Sequence, residues 1–193
     1  MTSVLQRDAE RTRRALLEAA ATALRAHGPT VSLDAVAREA GVSKGGLLHH
    51  FASKDALLTG LADEWMTRFD AAVQNHLDPS DERPGRVCRA HIRAAFDDTL
   101  VGDDQLWSDP AVLAALLAVP EVLRRARESG ERWRSELTAD GLHADRVLII
   151  SRVLDGMWLT ELLDGRSATA ERASLRDILL SLTDHTGAMS PTA

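Results

Sequence analysis

Apolar residues recur along most of this chain at the three-to-four-residue spacing of helices. From Arg7 to His27 one face carries Leu16, Leu17, Ala20, Ala23 and Leu24, and Gly28-Pro29 stops the run. Ser32 is placed to cap a short helix over 33–40, whose Leu33, Val36, Ala37 and Ala40 share a face, with Gly41 at its end. Ser43 can cap a second short helix over 44–51, entered by a Val42–Leu47 staple. Ser53 caps a longer one over 54–76, with Leu57, Leu58, Leu61, Trp65, Phe69 and Val73 inward. Further helices are expected at 86–101, 109–118, 120–139, 143–164 and 168–186, broken at Gly102-Asp103-Asp104, Val119-Pro120, Gly141 and Gly165. Residues 1–6 and the tail from Gly187 are expected to fray. No stretch alternates as a strand does, so the expected fold is all-α with about nine helices.

The pattern divides at Asp78–Gly85, a segment with Pro79 and Pro84 that reads as a linker. Residues 7–54 then form a small three-helix domain, 54–76 a connecting helix, and 77–187 a larger helical domain. Hydrophobic residues make up 45% and charged residues 27% of the 193, as in ordinary globular proteins. The longest apolar stretch, Val147 to Leu163, is interrupted by Arg152, Asp155 and Glu161 and is too polar for a bilayer. The first thirty residues are too charged for a signal peptide. With one cysteine, Cys88, no internal disulfide can form, and a cytoplasmic protein is expected.

Net charge is −6, which opposes nucleic acid at first sight. Residues 1–54, however, hold eight Lys/Arg against five Asp/Glu. Charges more than about 8–10 Å away are screened, so a locally basic end can still meet phosphate.

The helices at 33–40 and 44–51, joined through Gly41-Val42-Ser43, have the spacing of a helix-turn-helix, and equally that of a hairpin in a bundle. Composition separates the two readings. Apart from Leu47 and Leu48 the second helix is small and polar: Ser43, Lys44, Gly45, Gly46, His49, His50. Each interior glycine costs roughly 1 kcal/mol against alanine, less near a terminus. A bundle helix gains nothing from that cost; a helix that must approach a phosphate or base edge closely does.

The run from Val31 through Gly41-Val42-Ser43-Lys44-Gly45-Gly46-Leu47-Leu48-His49-His50-Phe51 to Lys54 and Leu58 resembles the DNA-binding domain of the TetR family. Leu47, His50, Phe51 and Lys54 match the family's aromatic-rich stretch and the lysine opening its fourth helix, and Asp155-Gly156-Met157-Trp158-Leu159 resembles it more loosely. The resemblance implies that Ser43, Lys44, Gly45, Gly46, Leu48, His49 and His50 face the major groove, Lys44 reading a base edge, while Ser32 and Lys54 hold phosphates. Leu48 stands where the family usually has tyrosine, so one phosphate hydrogen bond is lost there. Arg13 and Arg14 add charge or are simply solvated. The resemblance further implies a homodimer on a palindromic operator, most naturally a repressor released by a small effector. Helices 143–164 and 168–186 are the expected interface, because Val147, Ile150, Leu154, Leu175, Ile178 and Leu182 are too many for one monomer core.

Other chemistry is thin. His49-His50 point about 100° apart on a helix and have no further ligands at metal spacing; no Gly-x-Ser-x-Gly is present; and His143 before Asp145 reads as a cap. No cofactor is implied. Four tryptophans beside acids on apolar helices suggest an effector pocket of Trp107, Trp133, Asp155 and Trp158, suited to a lipophilic cation, against the alternative of plain core packing. An effector-less architectural DNA binder and a helical-bundle enzyme remain as alternatives.

Overall fold

A computed structural model describes residues 2–98, 109–164 and 169–189. Among them lie nine α-helices and no strand: α1 Thr2–His27, α2 Leu33–Glu39, α3 Lys44–His50, α4 Lys54–Asn75, α5 Arg86–Ala95, α6 Pro110–Leu117, α7 Pro120–Ala139, α8 Ala144–Asp164 and α9 Thr169–Ser181. Residues 2–6, expected to fray, continue α1, since no breaker separates Thr2 from Arg7. α5 stops at Ala95, where Phe96 leaves helical geometry at φ −105° and ψ 9°. α9 stops at Ser181 rather than 186.

The chain forms two compact units, Met1–Trp65 with Asp104–Arg125, and Met66–Asp103 with Ala126–Ala193. This division in space differs from the division expected along the chain. α4 and α7 each contribute to both units, and α6 packs on α1 in the first.

In the first unit, Leu16, Leu24, Val36, Leu47, Leu57 and Leu61 are all buried. Ser32 Oγ accepts from the Ala35 amide, Ser43 Oγ from Gly46 and Ser53 Oγ from Ala56, so each short helix starts on a side-chain cap. Gly41, at φ +67°, turns the chain between α2 and α3 while the Val42 amide donates back to the Ala37 carbonyl. At Gly60 on α4 a Cβ would lie 2.7 Å from the Phe51 ring and 3.2 Å from the Arg13 guanidinium, which stacks on that ring at 4.8 Å. Glycine there lets α4 close over Phe51, and it makes Arg13 a packing residue.

The second unit is built round Cys88, Ile92, Ala95, Leu137, Leu142, Val147, Ile150, Leu154, Met157 and Leu179. Burial pushes the Cys88 thiol up to about 12, which leaves it an inert apolar group. The expected linker is instead a fixed turn. Arg89, 4% exposed, donates to Asp81 at 2.7 Å and to the Pro84 and Arg83 carbonyls. From the far end of α7, Asp140 accepts from the Cys88 amide at 2.9 Å and supplies the cap that Gly85 lacks.

Candidate nucleic-acid interface

α3 is anchored by one side chain, Leu47, which is fully buried. The rest of its surface is open: Ser43, Lys44, Gly45, Leu48 and His49 are exposed, Gly46 and His50 half-buried. Lys44 is the one Lys, Arg, Asp or Glu of α3, which otherwise carries two glycines, two leucines and two histidines. The expected groove-facing residues are thus brought onto one short, polar element with an apolar anchor.

The two glycines have no internal reason to be there. A Cβ on Gly45 would meet only Ser43 Oγ, at 3.9 Å. On Gly46 it would meet Ser43 Oγ at 3.4 Å and Val42 Cβ at 3.9 Å, ordinary contact distances. Neither residue has a positive φ. The fold tolerates side chains at both positions.

Both expected lysines are engaged within the unit. Lys54 Nζ donates to the Pro29 carbonyl at 2.6 Å, and Lys44 Nζ lies 2.8 Å from Asp34 Oδ2. An ammonium has three donors, so each lysine keeps hydrogens for an external acceptor. Ser32 and Ser43 accept from amides through Oγ and retain a hydroxyl hydrogen to donate. Asp34 escaped the sequence reading: ten residues separate it from Lys44, and only the crossing of α2 over α3 joins them.

The expected effector residues fare differently. Trp107 lies outside the described residues, as does the side chain of Trp158. Trp133 packs with Ala72, Val73, Ala90 and Ala94, edge-on to His91 at 4.6 Å and to Phe69 at 6.3 Å. Arg132 covers its face at 5.3 Å and is held by Asp70 at 2.8 Å. Burial lowers the His91 pKa to about 4, with Asp70 opposing, so the ring is neutral at pH 7. Asp155, in contrast, is exposed on α8 beside Arg152 at 3.4 Å. The structure therefore does not bring Trp133 and Asp155 into one apolar setting.

Among the described residues no group of His, Cys, Asp and Glu could hold a metal, and no helix is long and apolar enough to cross a membrane.

Two capped seven-residue helices crossing through a glycine turn, the second with a small polar surface, define a helix-turn-helix DNA-binding regulator. Residues 16–61 match the family described as "Bacterial regulatory proteins, tetR family", and residues 85–184 the "Tetracyclin repressor-like, C-terminal domain". The chain belongs to the TetR family and is a DNA-binding transcription regulator rather than an enzyme. It is 31% identical over 150 residues to the HTH-type transcriptional regulator BetI of Ectopseudomonas mendocina, covering 74% of this chain and 76% of that protein. BetI of Yersinia pestis is 27% identical over 172 residues, 84% and 87% of the two chains. Of solved structures, the multidrug binding protein EbrR complexed with malachite green is 26% identical, with TM-score 0.62 over 89% of this chain and 97% of that one. A transcriptional regulator from Pseudomonas aeruginosa PAO1 shares the fold at TM-score 0.71 and 23% identity, over 91% and 89%.

Proposed function

We propose that the protein is a repressor that binds a palindromic operator as a homodimer, reads it with α3, and is released by a small effector. One observation carries the reading: α3 holds two glycines that its own fold does not require, on an exposed polar surface. Lys44 donates to a guanine edge, Ser43 and His49 flank it, and Leu48 contributes an apolar contact to a thymine methyl. Ser32 and Lys54 grip phosphates on either side. Binding assays on an operator selected by the protein from random-sequence duplexes test this. Lys44→Ala should cost about 1–3 kcal/mol on the operator and much less on scrambled DNA. Equal losses on both would assign Lys44 to the backbone instead.

Dimerisation is supported by α8 and α9, whose Leu148, Leu159 and Ile178 are each more than half exposed in the single chain. The second copy is the occupant that family membership and a palindromic site call for, because a two-fold operator needs two reading helices.

The effector is an aromatic, lipophilic cation held near Trp133. Two things support this: a guanidinium already lies over that indole with a carboxylate behind it, and a relative of 26% identity was solved with malachite green. The ligand would displace Arg132, and it shifts the dimer only as far as it prefers the form that cannot fit both half-sites. Malachite green should quench tryptophan fluorescence saturably, and Trp133→Leu should abolish binding. Unchanged affinity in that variant would remove Trp133 from the site.

A further inference from the structure

The 2.8 Å pair between Lys44 Nζ and Asp34 Oδ2 calls for an explanation that stability does not supply. Its side chains are 52% and 57% exposed, and ion pairs that open to water add little to a fold. Nor does either group need the other locally. Asp34 lies in the first turn of α2, where the helix dipole already favours an acid. Lys44 lies in the first turn of α3, where the same dipole disfavours a cation, yet the helix opens with one. The pair joins the cation that the reading helix presents to a counter-charge on its neighbour.

We propose that Asp34 is a positioning residue that sets DNA specificity by restraining Lys44; the inference rests on the reading of α3 as the DNA-contacting helix. Two effects follow from the geometry. First, the carboxylate neutralises Lys44 before any DNA arrives. Affinity for random sequence comes almost wholly from cations that displace counterions from phosphates, and a lysine already paired contributes little to that release. Secondly, a tether at one donor leaves two for a base edge and confines Nζ to a small region, so less side-chain entropy is lost when those donors find guanine O6 and N7. A phosphate could be reached by a lysine sweeping freely; a base edge at one depth in the groove rewards one that is aimed. Asp34 thereby lowers random binding and preserves operator binding.

The test compares full-length wild type with Asp34→Asn and Asp34→Ala on the selected operator and on a scrambled duplex, each over a range of salt. Asp34→Asn keeps the shape and removes the charge. Scrambled-duplex affinity at low salt should rise about tenfold, and the slope of log affinity against log salt should steepen by about one per bound subunit, one more phosphate contact each. The operator-to-scrambled ratio should fall by a similar factor. Lys44→Ala should erase these changes when combined with Asp34→Asn, because Asp34 acts through Lys44 alone. A ratio and a salt slope left unchanged by Asp34→Asn would overturn the proposal, as would equal weakening on both duplexes with a lowered Tm, which marks Asp34 as a support of α2. Failure of the wild type to select any duplex would instead bring down the DNA-reading role of α3 and this inference with it.

Discussion

Replacing Ile178 with glutamate is expected to give a folded monomer whose operator affinity is lower by a factor of about 10²–10⁴, the gain that linking two binding events confers. The side chain is 56% exposed, so the charge meets water in the monomer and leaves the core untouched. Glutamate is also a good helix former, and helicity should be retained. In the proposed dimer the same carboxylate would be buried against an apolar partner helix, a cost that side-chain packing cannot recover. Leu148→Glu, on α8 and 55% exposed, should act alike. Sedimentation and circular dichroism separate the outcomes. A wild-type protein that sediments as a monomer at micromolar concentration, or a doubly substituted chain that still dimerises, would rule out α8 and α9 as the interface.

The second large effect is one of opposite signs. Gly45→Ala with Gly46→Ala should raise Tm, because each substitution removes up to about 1 kcal/mol of helix cost and neither Cβ meets an obstacle. Operator affinity should nevertheless fall at least about tenfold, some 1.4 kcal/mol, as two methyl groups enter the space that the DNA needs. Substitutions that damage the fold lower both quantities together, so the divergence is the signature of a surface kept bare for a partner. A stabilised variant that binds as tightly as wild type would mean the glycines serve no close approach.

What the sequence made legible was the part of the fold determined within a few residues. Ser32, Ser43 and Ser53 cap the helices they were expected to cap, and Gly41 turns between α2 and α3 as its position implied. Contacts between distant segments were not legible. Asp140 caps α5 from 52 residues away, Asp81 and Arg89 fix a stretch that composition alone marks as a linker, and α6 packs on α1. Periodicity also failed to sort the two apolar sides of α8 and α9. Val147, Ile150 and Leu154 all fit into the core of one chain, while Leu148 and Leu159, each one or more positions along, remain outside with Ile178. A helix apolar on two sides carries no mark of which side meets its own unit. The same limit applies to Asp155: three residues from Trp158 it shares a helical face, but that face of α8 is open at Asp155.

The exposed row on α8 is not uniformly apolar, for Leu148, Arg152, Asp155 and Leu159 follow one another at four, three and four residues, so that an ion pair sits between two leucines. Leucines alone would adhere to any greasy helix. A charge pair in their midst makes burial costly unless the incoming surface offers groups to meet it. A second copy of the chain carries the matching pair by symmetry; a cousin with a different residue at either position does not. In the proposed dimer the pair would therefore favour identical chains over mixed ones.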